Sequence, residues 1–145
     1  MNWLPRRTVL VPVDFSDDSF AAIDVALELA GEACQVHLFH VLPEPHVLEP
    51  EVQWQMIDSE NRRRHAIEAL RSRLSDDKKY QDLPIEIDFG NPGYRIAEYA
   101  EQIQADLIVM PSHGRSGFER ILLGSVAERV TRLCHCPILV LRNPN

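Results

Sequence analysis

Five short apolar runs alternate with four helical stripes along this chain, and that alternation constrains the fold more than any other feature. Thr8–Val13 is β-branched and almost wholly apolar, as an interior strand covered on both faces must be. Four more candidate strands follow: Gln35–Leu42, Pro84–Phe89, Ala105–Met110 and Pro137–Leu141. Between them apolar residues recur at helical spacing: Phe20, Ile23, Leu27 and Ala30; Met56, Ile67, Leu70 and Leu74; Ile96, Ala100 and Ile103; Val126, Val130 and Leu133. A β-α-β-α-β-α-β-α-β order predicts parallel strands with right-handed crossovers and helices on both faces. The expected fold class is therefore α/β: an open, doubly wound, Rossmann-like sheet of five parallel strands. Periodicity does not fix the strand order; 3-2-1-4-5 is expected because five-stranded doubly wound sheets commonly start in the middle. At 145 residues the whole span 1–145 reads as one domain, large enough to bury a core.

Local signals place the helix ends. Asp14-Phe-Ser-Asp-Asp-Ser19 is rich in N-cap residues, with Ser16 or Asp17 as the cap, and Gly31 is the expected C-cap. Gly90-Asn-Pro-Gly93 is a turn that opens the third helix. The stretch Asp58 to His65 carries no apolar anchor and is expected to stand off the body. It holds the one basic cluster, Arg62-Arg63-Arg64-His65, which reads as a solvated face among Asp58, Glu60 and Glu68.

The totals exclude several function classes. A formal charge of −7 argues against nucleic acid, which wants a basic face. No apolar run approaches the ~20 residues of a membrane span, and the first residues do not read as a signal peptide. Three cysteines, Cys34, Cys134 and Cys136, without framework spacing, fit a reducing cytoplasm. Cys134-His-Cys136 lacks the second cluster that a tetrahedral metal site needs, so no metal site is expected. His37 and His40 fall on opposite faces of their strand, and packing suits them better than ligation.

The chemistry concentrates between Met110 and Val126. An apolar strand ends at Met110, a glycine-bearing loop follows, and Gly124-Ser125 opens a fresh helix. Backbone N–H groups at such a junction, with the first turn's partial positive charge, can hold an anion. In an open parallel sheet the ligand lies beyond the strands' carboxyl ends, where strand order reverses. If strands one and four are neighbours, that crevice is lined by Pro12, Val13 and Asp14 and by Met110 to Gly114. Asp14 either accepts hydrogen bonds from ribose hydroxyls or orders the turn that follows it. Gly114 allows close approach of a phosphate, and Gly117 either does the same or turns the loop; Arg115 and Arg120 are the nearby cations, either reaching a phosphate or solvated. His113 is expected to order the loop. Gly124-Ser125 fits both an anion site and simple capping, since both use the same orphan donors. Neither the P-loop pattern nor G-x-G-x-x-G is present.

These residues resemble the universal stress protein family over essentially the whole chain. The resemblance is carried by Val9-Leu-Val-Pro-Val-Asp14, the Gly90-Asn-Pro92 turn, Ser112-His-Gly114, Leu122-Leu-Gly-Ser-Val126 and Cys136-Pro-Ile-Leu-Val-Leu141. The family's nucleotide-binding branch carries G-x2-G-x9-G-[ST]. Gly114, nine residues and Gly124-Ser125 match it, while the first glycine position is Pro111, a departure. If proline crowds the ribose, a loss of ~1–2 kcal/mol would weaken binding about five- to thirty-fold. The resemblance implies an adenine nucleotide (ATP, ADP or AMP): base near Val13 and Val41, ribose near Asp14 and Pro111, phosphates on Gly114, Gly124, Ser125 and Val126. It implies a homodimer and a role in stress response. An apolar edge strand, Pro137 to Leu141, is consistent with pairing to a second copy.

Three functions compete at this stage. The first is a nucleotide-binding stress or signalling protein with ATP as a ligand and little or no turnover, with Mg2+ held mainly by ligand oxygens and water. The second is an enzyme, with slow phosphoryl transfer as the form worth testing; no G-x-S-x-G elbow supports a hydrolase. The third is a nucleotide-free dimeric adaptor, which Pro111 favours.

Overall fold

A computed structural model describes residues 3–31, 35–44, 52–113 and 123–142. The strands are β1 (Val9–Pro12), β2 (Val36–Leu42), β3 (Ile85–Phe89), β4 (Leu107–Pro111) and β5 (Ile138–Leu141). The helices between them are α1 (Asp17–Ala30), α2 (Val52–Arg73), α3 (Pro92–Gln102) and α4 (Ser125–Leu133). The strands form one five-stranded sheet in the order β3-β2-β1-β4-β5, and each recorded pair is parallel. That is the order expected of a doubly wound sheet that starts in the middle.

Successive strand residues point to opposite faces, so a strand covered on both sides must be apolar at every position. β1 obeys this: Val9, Leu10 and Val11 are all fully buried. Val9, Val11, Leu38, Ile87 and Val109 pack with Ala22, Ile23 and Ala26 of α1 and Leu70 of α2. Leu10, Phe39, Ile108 and Met110 pack on the other face with Ile96 and Ala100 of α3 and Ala127 and Val130 of α4. Truncating one centre, Ile108→Ala, would cost about 2–5 kcal/mol.

The helix ends follow their caps. The Ser16 side chain accepts from the Ser19 amide, and Gly31 closes α1 in the left-handed region at φ 77°. Asn91 caps α3, with Pro92 in its first turn. Two expectations are corrected. β4 runs Leu107–Pro111 and not Ala105–Met110, because Asp106 turns back to accept the Arg7 and Thr8 amides at 2.9 and 3.1 Å. The middle of α2 does not stand off the body. Arg62 and Arg63 lay their guanidinium groups over the Phe89 ring, at 5.2 and 5.5 Å from its centroid, and Arg62 donates to the Pro43 carbonyl at 3.0 Å. Stacked arginines supply the anchoring that apolar residues would otherwise give. Arg64, paired at 3.9 Å with Glu68, remains at the surface.

Candidate functional site

Strand order reverses between β1 and β4, and there the sheet splits. The two strands pair only at Val9↔Leu107 and Leu10↔Ile108, although β1 runs on to Pro12 and β4 to Pro111. In a parallel ladder a residue's N–H and C=O point to the same neighbouring strand, and sides alternate along the chain. The Val13 amide donates to Phe39 of β2 at 2.8 Å, so Pro12 faces β4. The Ser112 amide donates to Leu141 of β5 at 2.8 Å, so Pro111 faces β1. The next two donors of the β1–β4 ladder would be the amides of Pro12 and Pro111, and proline has none. The two prolines end the ladder and open the crevice. Neither costs a bond on its other side, which is why both sit buried in strands.

The expected residues collect around this gap. Pro12, Val13 and Asp14 leave β1, Met110 and Pro111 end β4, and Val41 lies two residues beyond the partner of Pro12 on β2. Met110 is buried against the α3–α4 face, with Val41 and Val126 partly buried beside that cluster. Asp14 uses Oδ1 to accept from both the amide, at 3.0 Å, and the hydroxyl of Ser16. It thus orders the turn, one of the two roles considered for it.

Gly124 is the N-cap of α4 and has no side-chain cap bond. Its amide donates to the Ser112 carbonyl at 2.7 Å, which draws the helix start onto the end of β4. Ser125 is the first helical residue and is exposed, so it is not the cap. The early amides of α4 lack the side-chain oxygen that Ser16 gives α1 and Asn91 gives α3. Orphan donors of this kind suit an anion.

His113 bonds through Nδ1 to the Ser112 hydroxyl at 3.0 Å, while its Nε2 is buried without a partner. Gly114, Arg115 and Gly117, like Arg120, lie outside the described residues. Two contributors were missed in the sequence. Phe15 takes φ 64° immediately after Asp14, a conformation rare outside glycine. Its ring meets His40 edge-on at 4.9 Å, and His40 Nδ1 donates to the Val13 carbonyl at 2.6 Å. Together they fix the β1 exit. No sequence signal marks a phenylalanine for positive φ. Among the described residues no three His, Cys, Asp or Glu side chains group as a metal site, and no helix is long and apolar enough to cross a membrane.

Known proteins share this fold. The model of the universal stress protein family matches residues 5–142. Universal stress protein MJ0531 of Methanocaldococcus jannaschii is 38% identical, over 95% of this chain and 83% of its own length. Universal stress protein YxiE of Bacillus subtilis is 31% identical, over 92% and 97%. Among solved structures, protein MJ0577 aligns with a TM-score of 0.74 and 29% identity, covering 98% of this chain and 99% of that one. UspA from Lactobacillus plantarum gives 0.71 and 29%, covering 94% and 99%. A universal stress protein solved in complex with cAMP gives 0.55 and 25%, covering 95% and 98%. With the family model matching residues 5–142 and a relative 38% identical over 95% of its length, the chain belongs to the universal stress protein family.

Proposed function

We propose that this protein binds an adenine nucleotide, with ATP the first candidate, in the crevice between β1 and β4, and acts in stress response as a homodimer. The observation that carries the reading is the uncapped start of α4, drawn by Gly124 onto the end of β4 beside the split sheet. Amides without a side-chain cap supply donors for phosphate, and the split provides room for ribose and base. The relative solved with cAMP supports a nucleotide in this fold. Mg2+ would be held by phosphate oxygens and water, since the described residues offer no carboxylate cage.

Binding without turnover fits the site better than hydrolysis. Ser112 is only 5% exposed, and no described group orients His113 from its Nε2 side. An activated nucleophile needs both access and an oriented base.

The two sheet edges favour a particular homodimer. On β3 two of the three outward carbonyls are covered: Arg63 Nε donates to Ile87 at 3.2 Å and Arg95 Nε to Phe89 at 2.9 Å. On β5 no described side chain covers Ile138 or Val140, and Leu139 is 37% exposed. An apolar, uncovered edge seeks a partner strand, so β5 is the edge that would pair.

Calorimetric titration of ATP with and without Mg2+, on protein whose mass is measured by light scattering, tests the reading. One site per protomer on a dimer is expected. Absence of heat with ATP, ADP and AMP would leave the nucleotide-free adaptor as the better account.

A further inference from the structure

We propose that Pro12 and Pro111 make the floor of the β1–β4 gap a surface of hydrogen-bond acceptors alone. It thereby selects adenine nucleotides with a free ribose diol and rejects 3′,5′-cyclic ones. The proposal rests on the nucleotide reading above and adds the determinant of ribose specificity.

The ladder register supplies the argument. Beyond Leu10↔Ile108, continued pairing would place the Pro12 amide on the Val109 carbonyl. It would then place the Pro111 amide on the Pro12 carbonyl, and the Asp14 amide on the Pro111 carbonyl. The first two donors do not exist, because proline has no N–H. The third is taken by Ser19, whose hydroxyl oxygen accepts the Asp14 amide at 3.3 Å. Among the described residues, therefore, no amide stands opposite three carbonyls, those of Val109, Pro12 and Pro111. All three residues are buried, Val109 with no exposed surface. No described side chain donates to them.

Buried carbonyls without donors are costly until something supplies a hydrogen. The Asp14 carboxylate at the mouth adds acceptor oxygens and no hydrogen. Ribose 2′- and 3′-hydroxyls bring the donors this floor lacks. A 3′,5′-cyclic phosphate has turned the 3′ oxygen into an ester, with no hydrogen to give, and sets phosphoryl oxygens where the floor is already electron-rich. Acceptor then meets acceptor. Pro111 is the specificity-determining residue, because any other residue there returns an amide hydrogen to the gap.

The full-length protein would be titrated with AMP, 2′-deoxy-AMP, 3′-deoxy-AMP and cAMP, alongside Pro111→Gly. Wild type should prefer AMP to both cAMP and 3′-deoxy-AMP by at least about tenfold. Pro111→Gly should narrow the AMP-to-cAMP ratio to within about threefold. Wild type binding AMP and cAMP equally, or cAMP more tightly, would overturn the proposal while leaving nucleotide binding in place. No binding of any nucleotide, ATP included, would remove the reading beneath it as well. If Pro111→Gly fails to fold by circular dichroism, the deoxy series in wild type decides. Equal affinity for AMP and both deoxy forms would refute an acceptor-only floor.

Discussion

The amide of Gly124 reaches the Ser112 carbonyl at 2.7 Å, and a Cβ placed on Gly124 would stand 2.8 Å from that same oxygen. The fold itself thus demands glycine here, whatever binds nearby. Gly124→Ala must push the start of α4 away from β4, a backbone shift costing about 1–3 kcal/mol. Urea unfolding measures this, and a variant as stable as wild type would contradict the close approach. Substitutions at Gly124 therefore perturb fold and ligand together and cannot isolate the phosphate site.

The open β5 edge yields a second prediction. Val140 points its amide outward, because the residues on either side, Leu139 and Leu141, face β4. Val140→Pro removes an edge donor without touching the β4–β5 ladder, the position a strand tolerates best. It should produce a folded monomer by light scattering. A dimer that survives this change would place the interface elsewhere.

Burial pushes the Cys134 thiol up to about 11, with neighbouring Cys136 adding to the effect. Burial raises Cys136 as well. A thiol whose folded value lies above its unfolded one, near 9, binds more protons when folded. Its stabilising contribution is complete below about pH 9 and is lost as pH rises through about 11. Both cysteines are half-buried, so the loss is modest. Thermal melts from pH 8 to 11 should fall more steeply for wild type than for Cys134→Ala. Parallel curves would refute the coupling. At neutral pH both thiols should alkylate slowly, since the thiolate is the nucleophile.

The sheet was legible in the sequence because buried parallel strands leave continuous apolar runs, and Val9–Val11 is such a run. The caps at Ser16 and Gly31 were legible because each position demands a particular residue type, and the turn that Asn91 occupies was legible as a helix start. The anchoring of α2 was not, because Arg62 and Arg63 act through stacking on Phe89, a residue about 25 positions away, and no local pattern encodes it. The surroundings of the site were readable from Asp14 and Gly124. Pro111 could be seen only as a departure from a family pattern. Its role in ending the ladder depends on which strand it faces, and that needs the register. The geometry of Phe15 and His40 likewise comes from tertiary packing.

The most direct test uses Ser125, which is exposed at the first position of α4. A carboxylate there suits the helix, where acidic groups at the N-terminus stabilise by about 0.3–1 kcal/mol. The same charge would repel phosphate. ATP should bind wild type, and Ser125→Glu should lose at least about tenfold in affinity while its melting temperature stays level or rises. Equal ATP affinity in the two proteins would contradict a phosphate at the start of α4.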